Sequence, residues 1–258
     1  MPSSYAHYRF GVRVLEKMDP AIRRKVQQFR NVYDTGLHGP DVFFYYNPLI
    51  RTATGALSTK IHAQTGDAFF TAAVRRLRLS PSEVGKVYLY GVLGHYCLDS
   101  AIHPLVEATA REGKIGHVEL ETEFDRYLLT KDRKLPPHVQ DFSGHMRLSR
   151  GECVTVSAFY PGASPSDILR SVKNMARITH LLASRNRKST EMLVGLAGKN
   201  ARQLLMTRCP NYNCDYLDEP MMALYDQALE RYPAMEAQLT ALIASGAPLG
   251  EEFSPIFG

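Results

Sequence analysis

GHYCLDSAIHP, residues 94–104, carries a histidine, an aspartate and a second histidine at intervals of four residues. Residues four apart on an α-helix lie above one another on the same face. The same spacing returns in GHVELE, residues 116–121, as a histidine followed by a glutamate. Both stretches therefore predict helices, and together they predict a metal centre. The side chains concerned are His95, Asp99, His103, His117 and Glu121.

The first series of three side chains is too long for one metal ion. It winds by roughly 40° for each step of four residues and spans about 12 Å. Two neighbouring ions fit better, with Asp99 bridging them or serving the first, and with His103 directed to the second. The alternative is a set of hydrogen bonds on the helix surface. It would leave polar groups without partners on a helix whose other residues predict burial, and burying such groups costs on the order of several kcal/mol.

The composition is that of an ordinary globular protein, with 258 residues of which 45% are hydrophobic and 22% are charged. We expect one all-α domain over residues 1–258, folded as a multi-helix bundle that holds a metal site between its helices. The metal-binding half covers about residues 1–131, and a second helical half covers about residues 132–258.

Helical periodicity runs through most of the chain. The start signal Ser80-Pro81-Ser82-Glu83 predicts the helix that carries His95, with Ser80 as its N-cap, and Ser164-Pro165-Ser166-Asp167 predicts another helix start. A strand is predicted only for GECVTVSAFY at 151–160. Two stretches rich in glycine and proline, 34–55 and 132–163, are predicted as loops, and the first is long enough to be functional. The other helices are predicted at 4–18, 20–33, 56–64, 67–79, 116–131, 189–207 and 219–245.

The sequence also bears on the compartment. MPSSYAHYRF at the start lacks the apolar stretch of a secretory signal, and no later segment approaches the roughly 18 apolar residues of a membrane span. Four irregularly spaced cysteines do not make a disulfide framework. We therefore expect a cytoplasmic protein. Cys209 and Cys214 form either a metal clip or, more simply, two loop thiols.

Candidates for the remaining metal ligands lie upstream. His62 is near the end of a predicted helix, Asp41 follows Gly39-Pro40 in the long loop, and His7 is in the first turn of the first helix. Taken alone, a histidine of this kind is more often a surface or capping residue, and an aspartate after Gly-Pro is more often a turn former. His38 shares the loop with Asp41 and is a candidate for contacting substrate phosphate or donating a proton near neutral pH.

The order of these residues resembles the bacterial zinc-dependent phospholipase C family and, more distantly, single-strand nucleases of the S1/P1 type, which share its fold. The resemblance covers roughly residues 5–130. It implies a zinc-dependent hydrolase of phosphodiesters, with a phospholipid as one substrate class. It also implies ligands for a first zinc ion, a second and a third. These are, in turn, Asp41, His62, His95 and Asp99; then His103, His117 and Glu121; then His7 with the bridging Asp99.

By the same resemblance, zinc activates a water molecule and holds the phosphodiester, and Asp41 orients or deprotonates that water. The sequence departs from the secreted family members in two ways. Their third zinc ion uses an N-terminal tryptophan, which this chain lacks, and their spacing from the helical aspartate to the next histidine is six residues instead of four. We therefore expect two zinc ions and leave the third open.

Substrate recognition also differs from the secreted phospholipases, because Val42 and Thr59 stand where those enzymes carry aromatic residues that cage choline. The aromatic run 43–46 is either a displaced aromatic wall or a core-packing segment. Two alternatives stay open. A nuclease could use the basic groups Arg75, Arg76 and Arg78 or Arg185, Arg187 and Lys188. A non-catalytic protein could keep the metal for folding, although such sites are usually rich in cysteine.

Overall fold

The computed structural model describes residues 4–113, 115–196 and 202–258, and within these ranges the all-α prediction is confirmed. No helix in the described ranges is both long and apolar enough to cross a membrane. The α-helices are α1 Ser4–Lys17, α2 Pro20–Gln28, α3 Arg30–Gly36, α4 Ala56–His62, α5 Gly66–Leu79, α6 Glu83–Arg111, α7 His117–Lys131, α8 Arg150–Ser157, α9 Pro165–Leu182, α10 Arg187–Leu196 and α11 Asp218–Ser245. Shorter 3-10 helices lie at Gly39–Tyr45, Pro137–Val139, Ser143–His145, Tyr212–Leu217 and Glu251–Phe253.

Helix α6 is the central element of the fold. Its N-cap is Ser82, whose side chain accepts a hydrogen bond from Gly85 N, so the helix begins two residues later than the sequence predicted from Ser80. From Val87 to Leu98 its residues are apolar or aromatic apart from His95, and the helix is buried from Val87 to Asp99 because α1, α3, α7 and α11 pack around it. The predicted metal ligands on this helix therefore lie inside the molecule.

Three predicted elements need correction. The strand predicted at 151–160 is wrong, because this stretch begins with helix α8, whose capping box joins Ser149 to Glu152. A capping box satisfies the first free N–H groups of a helix, and here it outweighs the alternating β-branched residues that suggested a strand. The helix predicted at 20–33 is two helices, which meet at Phe29. The helix predicted at 189–207 begins at Arg187, and residues 197–201 of that prediction lie outside the described residues.

Close backbone contact between α3 and α6 positions the segment after α3, which carries Asp41. A Cβ added at Gly91 would lie 2.3 Å from Tyr33 O, and one added at Gly36 would lie 2.6 Å from Tyr88 O. Gly39 adopts φ +43°, and a Cβ there would lie 2.7 Å from the ring of His95. Glycine at these positions therefore lets the 3-10 helix that carries Asp41 lie directly against α6.

Glu236 on α11 is expected to make the stability of the protein depend on pH. Its carboxylate is buried and accepts a hydrogen bond from Asp19 N at 3.0 Å, and burial raises its pKa from 4.5 to about 7. A raised carboxylate pKa favours the folded state below pH 4.5, and this contribution is lost as the pH rises toward 7. Glu236→Gln keeps an acceptor without the charge. We expect it to stabilise the protein by about 1–3 kcal/mol at pH 8 and by much less at pH 5.

Urea unfolding of the wild-type protein and the variant at both pH values measures this difference. An equal change in the free energy of unfolding at pH 5 and pH 8 would contradict the burial of an ionised Glu236 carboxylate.

Candidate metal centre

The eight predicted metal ligands come together from five elements of the fold. Helix α1 contributes one, the 3-10 helix Gly39–Tyr45 one, α4 one, α6 three and α7 two. Seven of them are buried, and only His117 has substantial exposure, with 31% of its side chain accessible. They are His7, Asp41, His62, His95, Asp99, His103, His117 and Glu121.

Their ligand atoms form three groups, and within each group these atoms lie within 4.8 Å of one another. One group contains His7, His95 and Asp99. A second contains Asp41, His62 and His95. The third contains His103, His117 and Glu121. Each group has the number and the kinds of donors that divalent metal ions use in proteins.

Asp99 lies at the centre of the three groups. One carboxylate oxygen, Oδ1, is 3.1 Å from His7 Nε2 and 3.6 Å from His103 Nε2. The other, Oδ2, is 3.1 Å from His95 Nε2 and 3.8 Å from His62 Nε2. Because its two oxygens face different groups, Asp99 has the position that a bridging ligand requires.

Glu121 joins the third group. Its Oε1 atom is 3.3 Å from His103 Nε2 and 3.3 Å from His117 Nε2. His117 is the first residue of α7 and Glu121 lies one turn further along, so the helical spacing alone aims both side chains at His103.

The electrostatics of the cluster keep its carboxylates ionised. Burial alone would raise the pKa of Asp99, but the neighbouring His95, His103 and His7 hold that pKa well below its usual range. The same balance lowers the pKa of Asp41, where burial is outweighed by His62 and His95. Burial lowers the pKa of His95 to about 4, so its imidazole is neutral at neutral pH. Although burial opposes it, the neighbouring carboxylates raise the pKa of His7, His62 and His103, that of His103 to about 9. Binding of a metal ion would therefore displace protons from these three rings.

The hydrogen bonds within the cluster leave places for metal ions. Within the described residues, His95 Nε2 and Asp41 Oδ1 are buried and lie against other ligand atoms, Asp99 Oδ2 at 3.1 Å and His62 Nε2 at 3.3 Å, in contacts without hydrogen-bond geometry. Buried polar atoms without partners are costly, and a cation can compensate for this cost. A mixture of imidazole and carboxylate donors suits zinc. The residues present therefore fit zinc.

Hydrogen bonds to groups outside the cluster orient two of the ligands. His62 Nδ1 donates to Ser58 O at 2.8 Å, which turns Nε2 toward Asp41 Oδ1 at 3.3 Å. Asp125 accepts hydrogen bonds from Tyr5 N at 3.0 Å and Ala6 N at 2.8 Å. Because these are free N–H groups in the first turn of α1, the bonds fix the start of the helix that carries His7.

His38, predicted as a catalytic residue, lies beside the cluster and belongs to none of the three groups. Its Nε2 atom shares a hydrogen bond of 2.7 Å with His145 Nε2, and its ring centroid is 6.4 Å from that of His7. Burial and the adjacent His145 hold the pKa of His38 well below its usual value, so the ring is neutral. A role in donating a proton to substrate stays a prediction.

The aromatic run 43–46 serves two purposes. Phe43 and Tyr45 are buried in the core, as the core-packing interpretation expected. Phe44 is partly exposed, and its ring centroid lies 5.9 Å from that of His62. Tyr46 lies under the guanidinium of Arg170, which is 4.7 Å from the ring centroid. One aromatic ring of the run therefore borders the cluster.

Sequence reasoning missed the segment 252–258, which we call the strap. Three backbone hydrogen bonds join it to residues 62–66: Gly66 N to Pro255 O, Phe257 N to Gln64 O and Gly258 N to His62 O. The ring of Phe257 is fully buried, with its centroid 6.2 Å from His95 and 6.4 Å from His62. No local pattern in the sequence connects the strap with the metal ligands.

The cysteines do not take part in the cluster. Cys214 is buried and Cys209 is exposed, and the three metal-binding groups found in the described part of the chain contain no cysteine. This distribution agrees with the interpretation of the pair as two thiols.

Comparison with known proteins bears out the family resemblance. A family model described as zinc dependent phospholipase C matches residues 6–159, which is more than half of the chain and includes all eight clustered residues. No curated protein and no solved structure matches the chain.

Proposed function

Because the chain belongs to the zinc-dependent phospholipase C family, we propose that it is a zinc-dependent hydrolase of phosphodiesters and that phospholipids are its substrate class. One observation carries the proposal beyond the family: a single buried carboxylate, Asp99, lies within 3.8 Å of a histidine nitrogen from each of the three donor groups. Carboxylate-rich groups that adjoin one another are typical of catalytic sites with several metal ions.

The proposed ligand sets follow from the donor chemistry. A neutral imidazole nitrogen has one lone pair, so His95 Nε2 serves one ion although it lies in two groups. We assign it to the ion held by Asp41 and His62, with Asp99 Oδ2 alongside. A second ion would be held by His103, His117 and Glu121. His7 and Asp99 Oδ1 remain for a third ion, which needs further ligands.

The chain's own residues supply positioning and charge. When bound, zinc lowers the pKa of water and neutralises negative charge on a phosphoryl group. The ionised Asp41 carboxylate can orient the attacking water molecule and accept its proton. The exposed edge of His117 marks the side from which a substrate phosphate reaches the cluster. The buried remainder of the cluster excludes bulk water, which strengthens its electrostatic interactions.

The nuclease alternative draws no support from the basic group on α5, Arg75, Arg76 and Arg78. Arg78 donates to Leu242 O at 3.1 Å and so binds the carboxyl end of α11. Arg75 and Arg76 are exposed on α5, which carries none of the clustered residues.

Elemental analysis of protein purified without added metal tests the metal site, together with assays on a phospholipid, on single-stranded nucleic acid and on a chromogenic phosphodiester. We expect at least one zinc ion per chain and hydrolysis of the phospholipid. Less metal than this, with no activity restored by zinc, would overturn the site. Activity on nucleic acid alone, lost in His95→Ala, would establish the nuclease. Bound metal without hydrolysis, and unfolding on chelation, would establish a structural role.

A further inference from the structure

The turn at residues 47–51, Asn-Pro-Leu-Ile-Arg, presents two adjacent large apolar side chains to solvent. We call it the apolar turn. Leu49 is 72% exposed and Ile50 is 64% exposed. Single exposed apolar residues are common on protein surfaces and need no explanation. Two adjacent exposed apolar residues at the tip of one turn form a small continuous apolar surface that a partner can bind.

The apolar turn is held in place at its base. Asn174 on α9 donates from Nδ2 to Tyr45 O at 3.1 Å and to Tyr46 O at 3.2 Å. Within the turn, Ile50 N donates to Asn47 O at 3.2 Å. Directly after it, Gly55 N donates to Thr52 Oγ1 at 2.9 Å. The exposed pair therefore projects from an ordered backbone, and a partner that binds it loses little chain entropy.

The charge around the turn favours an anionic partner. Residues 42–66 contain no acidic residue, and they include Arg51 and Lys60, both exposed. Arg170, which stacks on Tyr46 at the base, adds a further positive charge. Asp167 next to Tyr46 and Arg170 stays ionised, because hydrogen bonds from Ser164 outweigh partial burial and lower its pKa, and it offsets the charge of Arg170. The net positive charge at the turn therefore comes from Arg51 and Lys60. An apolar tip within a basic surround has the chemistry of elements that enter the interface of an anionic bilayer.

We infer that the apolar turn docks this protein on an anionic lipid bilayer, with Leu49 and Ile50 inserted among the acyl chains and Arg51 and Lys60 at the headgroups. The turn joins the 3-10 helix that carries Asp41 to helix α4, which ends at His62. Partly exposed Phe44, three residues before the turn, has its ring centroid 5.9 Å from that of His62. Docking would bring the metal centre to lipid headgroups, so the purpose of docking rests on the proposed function, whereas membrane binding is measured separately.

Cosedimentation of the full chain with vesicles tests this inference. We compare vesicles of phosphatidylcholine alone with vesicles that also contain phosphatidylserine, at low and high salt. The wild-type protein is expected to bind the anionic vesicles, and the double variant Leu49→Ser/Ile50→Ser to bind them roughly 10- to 100-fold more weakly. Arg51→Gln should weaken binding mainly at low salt, because salt screens its attraction to the headgroups. The control is Leu79→Ser, whose side chain is 84% exposed at the end of α5.

The outcomes separate docking from catalysis. Retained hydrolysis of a water-soluble chromogenic phosphodiester by the double variant, together with its loss of vesicle binding, supports docking. Docking is overturned by wild-type protein that binds neither vesicle, by a double variant that binds as well as wild type, or by an equal loss in Leu79→Ser. A dimer that dissociates on the double substitution would also overturn it, by showing a second copy as the occupant. Absence of hydrolysis in every variant would reject the proposed function alone.

Discussion

Asp99→Asn is expected to release zinc and to abolish hydrolysis. The substitution preserves the size of the side chain but removes the negative charge at the centre of the three donor groups. One carboxylate oxygen then becomes an amide nitrogen, which does not bind metal ions, so either the His7 side or the His95 side loses its partner. Changes outside the ligand sphere already weaken metal binding by roughly 10- to 100-fold, so we expect at least about 100-fold here. Elemental analysis and hydrolysis of a chromogenic phosphodiester measure the two effects.

A comparison substitution separates this effect from the general cost of removing an ion-paired carboxylate. Asp132 forms an ion pair with Arg9 at 2.7 Å and belongs to none of the three donor groups. Asp132→Asn should lower stability while leaving the zinc content unchanged. If Asp99→Asn bound as much zinc as the wild-type protein and retained its activity, Asp99 would not be a metal ligand.

Helical spacing explains why part of the cluster could be predicted from sequence. His95, Asp99 and His103 share one face of α6 whatever the rest of the fold does, because their positions depend only on the helix repeat. The same holds for His117 and Glu121 on α7. The upstream residues were harder, since a lone histidine or a loop aspartate carries no periodic signal, and their inclusion came from the family resemblance.

Contacts between distant segments could not be predicted in this way. The hydrogen bond between His38 and His145 joins residues 107 positions apart, and neither residue lies in a pattern that names the other. The false strand at 151–160 has a local cause, because Val154 and Val156 alternate with polar residues while the capping box at Ser149 sets a helix. Local sequence patterns therefore predict how ligands on one helix are placed relative to one another, but they do not predict the packing that surrounds them.

Phe257→Ala in the strap is expected to weaken both the fold and zinc binding. The Phe257 ring is fully buried among Phe69, Phe70 and Tyr96, with ring centroids at 5.1, 6.1 and 4.8 Å. Replacing such a ring with a methyl group costs about 3–5 kcal/mol of unfolding free energy. Because the same ring packs against His62 and His95, the cavity also frees these two ligands to move. Urea unfolding of metal-free protein and zinc titration against a competing chelator measure the two effects.

Phe253→Ala is the matched control, because it removes an equally buried ring from the same strap. Phe253 packs on Phe70 and Tyr96, and its ring contacts within the described residues include no histidine. It should therefore lose a similar free energy of unfolding but keep its affinity for zinc. Phe257→Leu, which retains most of the apolar volume, should recover much of both losses. Equal zinc affinities in Phe257→Ala and Phe253→Ala would show that the strap stabilises the bundle without positioning the ligands.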